Sequence, residues 1–454
     1  MNNPEIENKM GTMPVGRLLL TMSAPTVASM LFLAFYNVID SIFVAKLNQD
    51  ALNAVSLAFP ISTFVMAFTI GISVGMNSLL SKALGEKDAE KADRATNTGI
   101  FLFACTSVLF LIPGLLAGRP YYRLLTDNEQ IIRYGTDYVK ICIGCSFAVC
   151  LEVSGERLLQ STGRTDLAMI AQICGEVANI ILDPVLIFGL LGFPRLEVKG
   201  AAIATIIGEV LAGIIAYAMN ITKNKEIHIL PKKIRFHAET AKEIIRTGLP
   251  TAVIQAIGSF MNFALNSILI GFTEAATAAF GVYFKVQSFL FMPLYGMNTS
   301  LISIIAYNTG AKKYERVKQV IRLGIVISVS IMTAGTLVFE LIPGTLIRLF
   351  SPTDRMLQVA KAAFRIIGIS FPFAGFITIA GSACQALGKP QYTLLSSLCA
   401  QLIVLLPAAR LLSLTGVLEY VWMAFPMAEL VAFVMSAVFL NKVIRPLDAG
   451  ERHE

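Results

Sequence analysis

Runs of apolar residues recur from end to end of the chain, separated by short polar stretches that carry most of its charge. At 1.5 Å of rise per helical residue, about 20 apolar residues cover ~30 Å of hydrocarbon. The runs predict twelve spans, at 18–45, 52–83, 95–117, 130–161, 164–190, 198–221, 240–270, 275–308, 319–342, 356–386, 389–413 and 418–441, numbered here as spans 1 to 12. The expected fold class is an all-α polytopic membrane protein. Its expected parts are an N-terminal segment (1–17), an N-lobe (18–221), a linker (222–239), a C-lobe (240–441) and a tail (442–454). The first 17 residues lack the apolar core and cleavage site of a secretory signal.

Composition strengthens this picture. Hydrophobic residues make up 55% of the chain and charged residues 15%, against roughly 25% charged in soluble domains. The net charge of +7 is unevenly spread. Lys82, Lys87, Lys91 and Arg94 follow span 2; Lys223, Lys225, Lys232, Lys233 and Arg235 follow span 6; Lys312, Lys313, Arg316, Lys318 and Arg322 follow span 8. On the opposite side, the loops after spans 1, 7 and 11 are poor, with Lys46 after span 1, none after span 7 and Arg410 at span 11. The positive-inside rule puts both termini in the cytoplasm of a plasma (inner) membrane protein. Because the basic excess is a topology signal, no nucleic-acid partner is expected. The seven cysteines all fall in expected spans, where the Cys142–Cys145 spacing reads as two small apolar residues and not as a redox or zinc pair.

The halves repeat. Pro25 and Pro250, Asn37 and Asn262, and Gly85 and Gly310 each stand 225 residues apart, and "LLQSTGR" at 158–164 matches "ACQALGK" at 383–389. Later the offset falls to 220, pairing Glu209 with Glu429. Six spans per half give both halves one orientation, so the lobes should be related by a pseudo-two-fold axis along the membrane normal, with a cavity between them.

What the halves do not share is acid. Asp40, Glu152, Glu156, Glu176 and Asp183 map to Leu265, Ile377, Gly381, Gln401 and Ala408, and Asn179 maps to Val404. A carboxylate near the bilayer centre costs about 2.5–3.5 kcal/mol on insertion scales, so a purely architectural role would be needed in both copies. The asymmetry points to function. Gln172, Glu176, Asn179 and Asp183 are spaced 4, 3 and 4 residues apart, one face of span 5. Asp40 in span 1, Asp183 in span 5 and Thr205 in span 6 lie about 5 to 7 residues from the outer ends of their spans, at one depth. Glu156 should lie about 20 Å lower by the same rise. Carboxylates, an amide and a hydroxyl are hard oxygen ligands, and like charges crowded in low dielectric favour whatever neutralises them, Na⁺ or a proton. Glu152, Glu156, Glu176 and Glu209 are secondary acidic candidates.

Four stretches, "YNVIDSIFVAKL" at 36–47, "NIILDPVLIFG" at 179–189, "GAAIAT" at 200–205 and "IIAYNTGAKKYERVKQVI" at 304–321, give the chain its resemblance to the multidrug and toxic compound extrusion (MATE) family, in its MepA-like and DinF-like branch. The resemblance implies an antiporter, not an enzyme, that exports cationic or amphiphilic molecules against inward Na⁺ or H⁺. It places the cation site, which would be the metal site under sodium coupling, on Asp40, Asn179, Asp183 and Thr205, and lends Glu156 a role in some members. Beyond the coupling ion no cofactor is expected, and the chain should act as a monomer in the bilayer. Tyr36 and Asn37 on span 1, with Phe284, Phe289, Phe291 and Met292 on span 8, are candidate substrate-lining residues; Pro25, Pro60, Pro184 and Pro372 are candidate kinks. The rival reading is a flippase for lipid-linked oligosaccharide, whose pyrophosphate would call for an Arg- and Lys-rich cavity. An intramembrane metal enzyme is disfavoured because His228, His237 and His453 all lie outside the spans.

Overall fold

The computed structural model of the protein describes residues 8–229, 236–350 and 352–450, and they are helical with no strand among them. Lys232, Lys233 and Arg235 of the expected linker, and parts of both expected terminal segments, lie outside the described residues. Ten helices cross as unbroken rods: Val15–Ala45, Gln49–Gly85, Ala89–Leu116, Thr165–Phe188, Val198–Lys223, Ala238–Leu269, Glu274–Gly310, Tyr314–Leu341, Pro390–Ser413 and Leu418–Leu447. They are spans 1, 2, 3, 5, 6, 7, 8, 9, 11 and 12.

Spans 4 and 10, expected as continuous, are broken. Span 4 is Glu129–Cys142 and Phe147–Ser161 bent by 43°, and span 10 is Asp354–Gly368 and Phe371–Ala386 bent by 48°. Counting each pair once gives the expected twelve. In span 4 the break holds Gly144, and a Cβ on Gly114 of span 3 would fall on its backbone nitrogen. Two glycines thus bring a neighbouring backbone against the break. In span 10 the Ser370 hydroxyl donates to the Ile367 carbonyl at 2.7 Å and caps the first half. Pro372, expected as a kink inside a helix, sits instead in the first turn of the second half, where its missing N–H costs nothing. Pro25, Pro60 and Pro184 lie within unbroken helices. Span 12 also runs further than expected, to Gly450.

The duplication is written in the backbone. Lys87 and Lys312 both adopt φ of +57°, and Gly163 and Gly388 take +83° and +73°. Asn48 caps the start of span 2 through Ala51 N at 2.7 Å, as Thr273 caps span 8 through Ala276 N at 3.2 Å. Asn37 donates to the Leu33 carbonyl at 2.8 Å and Asn262 to the Gly258 carbonyl at 3.5 Å. Each pair is one repeat apart.

The lobes meet reciprocally. A Cβ on Gly85 would strike the carbonyl of Tyr307, and one on Gly310 would strike that of Lys82. Lys82 and Tyr307 are themselves repeat partners, so one contact appears twice about a pseudo-two-fold. Gly71 and Gly75 of span 2 press on Gly248 and Ile244 of span 7, while Gly296 of span 8 presses on Thr26 of span 1. Spacings of four between small residues let helix backbones touch, which is how helices associate without a hydrophobic driving force. Asn77 is the polar centre of the seam: its carbonyl oxygen accepts from Ser161 and Ser303, one from each lobe, at 2.8 Å.

All of these contacts lie in the half of the bundle nearest the chain's N-terminal segment, which itself forms a strap. The short helix Lys9–Thr12 crosses from lobe to lobe. On one side Asn8 Nδ2 donates to the Thr162 carbonyl at 3.0 Å and to the Glu226 carboxylate at 2.7 Å. On the other, Asn308 donates to the Met10 carbonyl at 3.0 Å, Lys313 to that of Gly11 at 3.0 Å, and Arg316 to that of Met13 at 2.8 Å. Met10 is fully buried. Outside the spans, burial pushes the Glu226 carboxyl up, opposed by the Asn8 hydrogen bond and by the charges of Arg164 and Lys9. Burial lowers the Lys9 ammonium, with Asp166 opposing it.

Candidate functional site

Spans 5 and 6 set the site's geometry. Gly175 and Gly208 face each other so closely that a Cβ on either would lie within 2.5–2.7 Å of the other's carbonyl oxygen. Drawn together there, the helices let Asn179 Nδ2 donate to Thr205 Oγ1 at 3.2 Å, while that hydroxyl donates to the Ala201 carbonyl at 3.1 Å. One turn further along span 5, Asp183 is fully buried. Its carboxyl and that of Asp40 on span 1 stand within hydrogen-bonding reach of each other.

This pair is unusual in what surrounds it. Asp40 Oδ1, both Asp183 oxygens and Asn179 Oδ1 are buried, and none has a hydrogen-bond donor. Four acceptors, two of them on one carboxylate, are thus buried in this part of the lobe with nothing to satisfy them. Buried polar atoms normally find partners, and an unmet buried acceptor costs about 1–3 kcal/mol, more when charged. A proton shared between the carboxyls, or a small cation held among the four oxygens with Thr205 beside them, would satisfy the set. Among the described residues no three His, Cys, Asp or Glu side chains gather as they would for a transition metal. The donors present suit a hard monovalent ion.

Tyr36 completes the group on span 1. Its hydroxyl is within hydrogen-bonding reach of Thr205 and feels the charges of Asp40, Glu209 and Asp183. Asn37, by contrast, is exposed and bonds back to its own helix. Two residues join from span 4: Tyr138, which sequence reasoning did not single out, lies close to Asp40 and Tyr36, and Cys142, read there only as a small apolar residue, lies within hydrogen-bonding reach of Tyr138 and near Glu209 and Asp40. Their spacing of four, at the depth of Asp40, was the available signal.

The secondary acids form a lower tier. Glu209 lies within electrostatic range of Glu152, and Glu152 of both Glu156 and Glu176. Glu176 is buried and accepts from Gln172 Nε2 at 2.9 Å. Glu156 has Arg157 and Glu176 as its charged neighbours and does not join the Asp40 group. Tyr36 and Glu209 connect the tiers, so carboxyl and hydroxyl groups follow one another from Asp183 down to Glu156.

The span 8 candidates divide. Phe284 and Phe289 are 42% and 46% exposed. Phe291 instead packs edge-on against Phe371 at 5.7 Å and belongs with the C-lobe core, and Met292 beside it is half-buried. Lys285 has its ammonium 6.0 Å from the Phe350 ring centroid, a cation–π contact.

Comparison with known proteins agrees with this architecture. The MatE family model matches residues 25–185 and 250–409, one match in each lobe. The FAD transporter of Shewanella oneidensis is 27% identical over 438 residues, covering 96% of each chain. The multidrug export protein MepA of Staphylococcus aureus strain N315 is 24% identical and also covers 96% of each. A solved multidrug resistance MATE family transporter in an outward-facing conformation superposes with a TM-score of 0.91 at 23% identity, over 99% of this chain and 100% of that one. A MOP superfamily transporter from Pyrococcus furiosus, described as having a binding pocket of reverse polarity, gives 0.91 at 22% identity over 98% and 100%. At such identities the structural likeness speaks for the fold.

Proposed function

Because the chain belongs to the MatE family, whose members are multi-pass membrane transporters and not enzymes, we propose that it is a cation-coupled multidrug antiporter, exporting cationic or amphiphilic molecules against an inward gradient of Na⁺ or H⁺. The supporting observation is the Asp40–Asp183 pair, whose buried oxygens lack donors on a face of the N-lobe that the C-lobe does not duplicate.

The mechanism follows from solvation. With both termini cytoplasmic, the glycine seam, Asn77 and the strap close the inner side, so the lobes part on the outer side. Parting admits water to the N-lobe acids, which are buried here, and lowers the cost of their charge. Two protons, or one Na⁺ beside a proton shared by the pair, neutralise Asp40 and Asp183, which allows the outer half of the lobe to dry and close. Ligands shift such an equilibrium only by binding its two states unequally, and the changing hydration of the carboxylates supplies that inequality. Asn179 and Thr205 would supply the ion's remaining oxygen ligands, and Tyr36 ties span 1 to span 6. Glu209 and the lower acids offer a proton a route inward.

The test is export of a fluorescent cationic dye from vesicles with Na⁺ and pH gradients imposed separately. At least one gradient is expected to drive uphill export; export indifferent to both overturns antiport.

A second reading has one observation in its favour, the similarity over nearly the full length to a protein named an FAD transporter. A dinucleotide is anionic and would need cationic groups such as Lys285 and Arg365. Arg365 lies 3.9 Å from Glu340 and Lys285 is held against Phe350, so each already has a partner. Flavin dinucleotide loaded into the same vesicles distinguishes the readings: its export, with none of the dye, would favour the dinucleotide.

A further inference from the structure

Glu429 on span 12 is the counterpart of Glu209, and the alignment of the halves leaves it as the acid that both keep. The C-lobe around it is not a decayed copy of the N-lobe site. A cavity of about 90 Å³ opens between spans 10, 11 and 12, with Glu429, Gln401 and Ser397 on its walls beside Ile377, Leu405 and Phe425. Span 11 changes its winding at this place: Cys399–Leu405 is π-helical, whereas span 5 is α-helical from Thr165 to Phe188. A π-turn inserts a residue into the helix and re-aims those around it, and such turns concentrate at functional sites. Here the inserted turn carries Gln401, the residue standing where the N-lobe has Glu176.

Among the described residues no side chain donates a hydrogen bond to Glu429 and no cation pairs with it. The acids of the N-lobe lie among one another; Glu429 lies beside a small chamber. Intramembrane carboxylates without partners are costly and mark the paths of cations.

The chamber's size and walls decide which cation. A single water needs about 10–15 Å³ of such space, so the chamber's 90 Å³ holds several water-sized bodies. That is far below the ~300–1,000 Å³ of a drug-sized pocket. Glu429, Gln401 and Ser397 offer the cavity its polar atoms, while the Ser396 hydroxyl is engaged with Ser436 at 3.0 Å and the Ala432 carbonyl at 3.2 Å. The remaining walls are aliphatic with the Phe425 ring, and Tyr283 and Tyr295 of span 8 stand close enough to feel the Glu429 charge. One carboxylate, one amide, one hydroxyl and an aromatic ring among apolar walls suit a positive nitrogen wearing alkyl groups.

We propose that the Glu429 cavity is a second binding site, in the C-lobe, that receives the alkylammonium head of a transported molecule. The inference rests on the exporter reading only for the word transported; binding itself is measured without transport. The chain's single tryptophan, Trp422, is two turns away on the same helix, buried, and stacked on Phe280 at 6.2 Å. It reports on the site without a label. Purified protein in detergent titrated with tetramethylammonium is expected to give a saturable change in Trp422 fluorescence. Glu429→Gln should weaken that binding about tenfold or more, and Gln401→Glu, which adds a second carboxylate, should tighten it severalfold. Gln401→Glu carries the test should Glu429→Gln fail to fold. No saturable response in the wild type, equal affinity in the wild type and the folded variants, or the same response to Na⁺ at equal concentration overturns the proposal. Binding that behaves as expected in a protein whose vesicles show no gradient-driven export would leave the site standing and sink the antiporter reading alone.

Discussion

Asp183→Asn is expected to abolish gradient-driven export while leaving the protein folded. The carboxylate is fully buried within reach of Asp40. In the wild type its two oxygens, Asp40 Oδ1 and Asn179 Oδ1 have no donors. An amide of nearly the same shape brings an NH₂ that can donate to Asp40, so the like-charge contact becomes a hydrogen bond. Removing one member of a buried charged set usually destabilises because it strands the other. Here the partner is itself an anion and the sign reverses. The melting temperature in detergent should stay level or rise. Coupling should be lost, because the site can no longer distinguish occupied from empty by taking up one positive charge. Coupling free energies between sites are typically 1–3 kcal/mol, about 5–150-fold in equilibrium, so the ratio of uphill to passive dye flux should collapse by about that factor. Uphill export unchanged from wild type would remove Asp183 from the mechanism.

Gly75→Val is the second large effect, and it acts on the opposite half of the molecule. A Cβ at Gly75 would fall on the Ile244 carbonyl, which is backbone and cannot rotate aside. Each lobe keeps its own interior in this variant, so the lobes should still fold. What fails is their closure along the seam. Overpacking costs about 1–3 kcal/mol, which set against closure would raise the population open at that face by about 5- to 150-fold. A cysteine placed at Ser303, otherwise fully buried and bonded to Asn77, gives the readout on a background with the seven native cysteines replaced. Its labelling by a membrane-impermeant maleimide from the face of the strap should rise steeply with Gly75→Val. Labelling as slow as in the parent would show that the seam yields without opening.

The architecture was legible because its signals are local and long. Ten continuous spans emerge where apolar runs exceed the bilayer, and the offset of 225 residues survives in cap residues, in the φ angles of Lys87 and Lys312, and in the contacts of Gly85 and Gly310. The juxtaposition of Asn179 with Thr205 and of Asp40 with Asp183 follows from counting turns from the ends of spans 1, 5 and 6. Other features depend on tertiary neighbours that a single stretch of sequence cannot announce. The bend in span 4 needs Gly114 of span 3 to come against Gly144, and an apolar run looks the same bent or straight. The strap read as a polar leader because its partners, Asn308 and Arg316, lie about 300 residues away. Phe291 looked like a surface aromatic until Phe371 covered it. Glu429 was visible as a relic of duplication, but its chamber depends on a change of helical winding in span 11 that no residue type in "CAQLIVL" demands.

The strap has a practical consequence. Peptide bonds held in a packed turn are cut by proteases only when the segment opens, and the cutting rate then counts how often it does so. The Lys9–Met10 bond is a tryptic site with a fully buried Met10 on one side and anchors to both lobes. If the lobes part at this face, the strap cannot hold both, and the bond is freed. Digestion followed by mass spectrometry of the released end would then serve as a clock for the cycle. It should tick faster with anything that favours the inward-open form and slower with anything that favours the outward-open one, in unlabelled protein and without a membrane to separate two compartments.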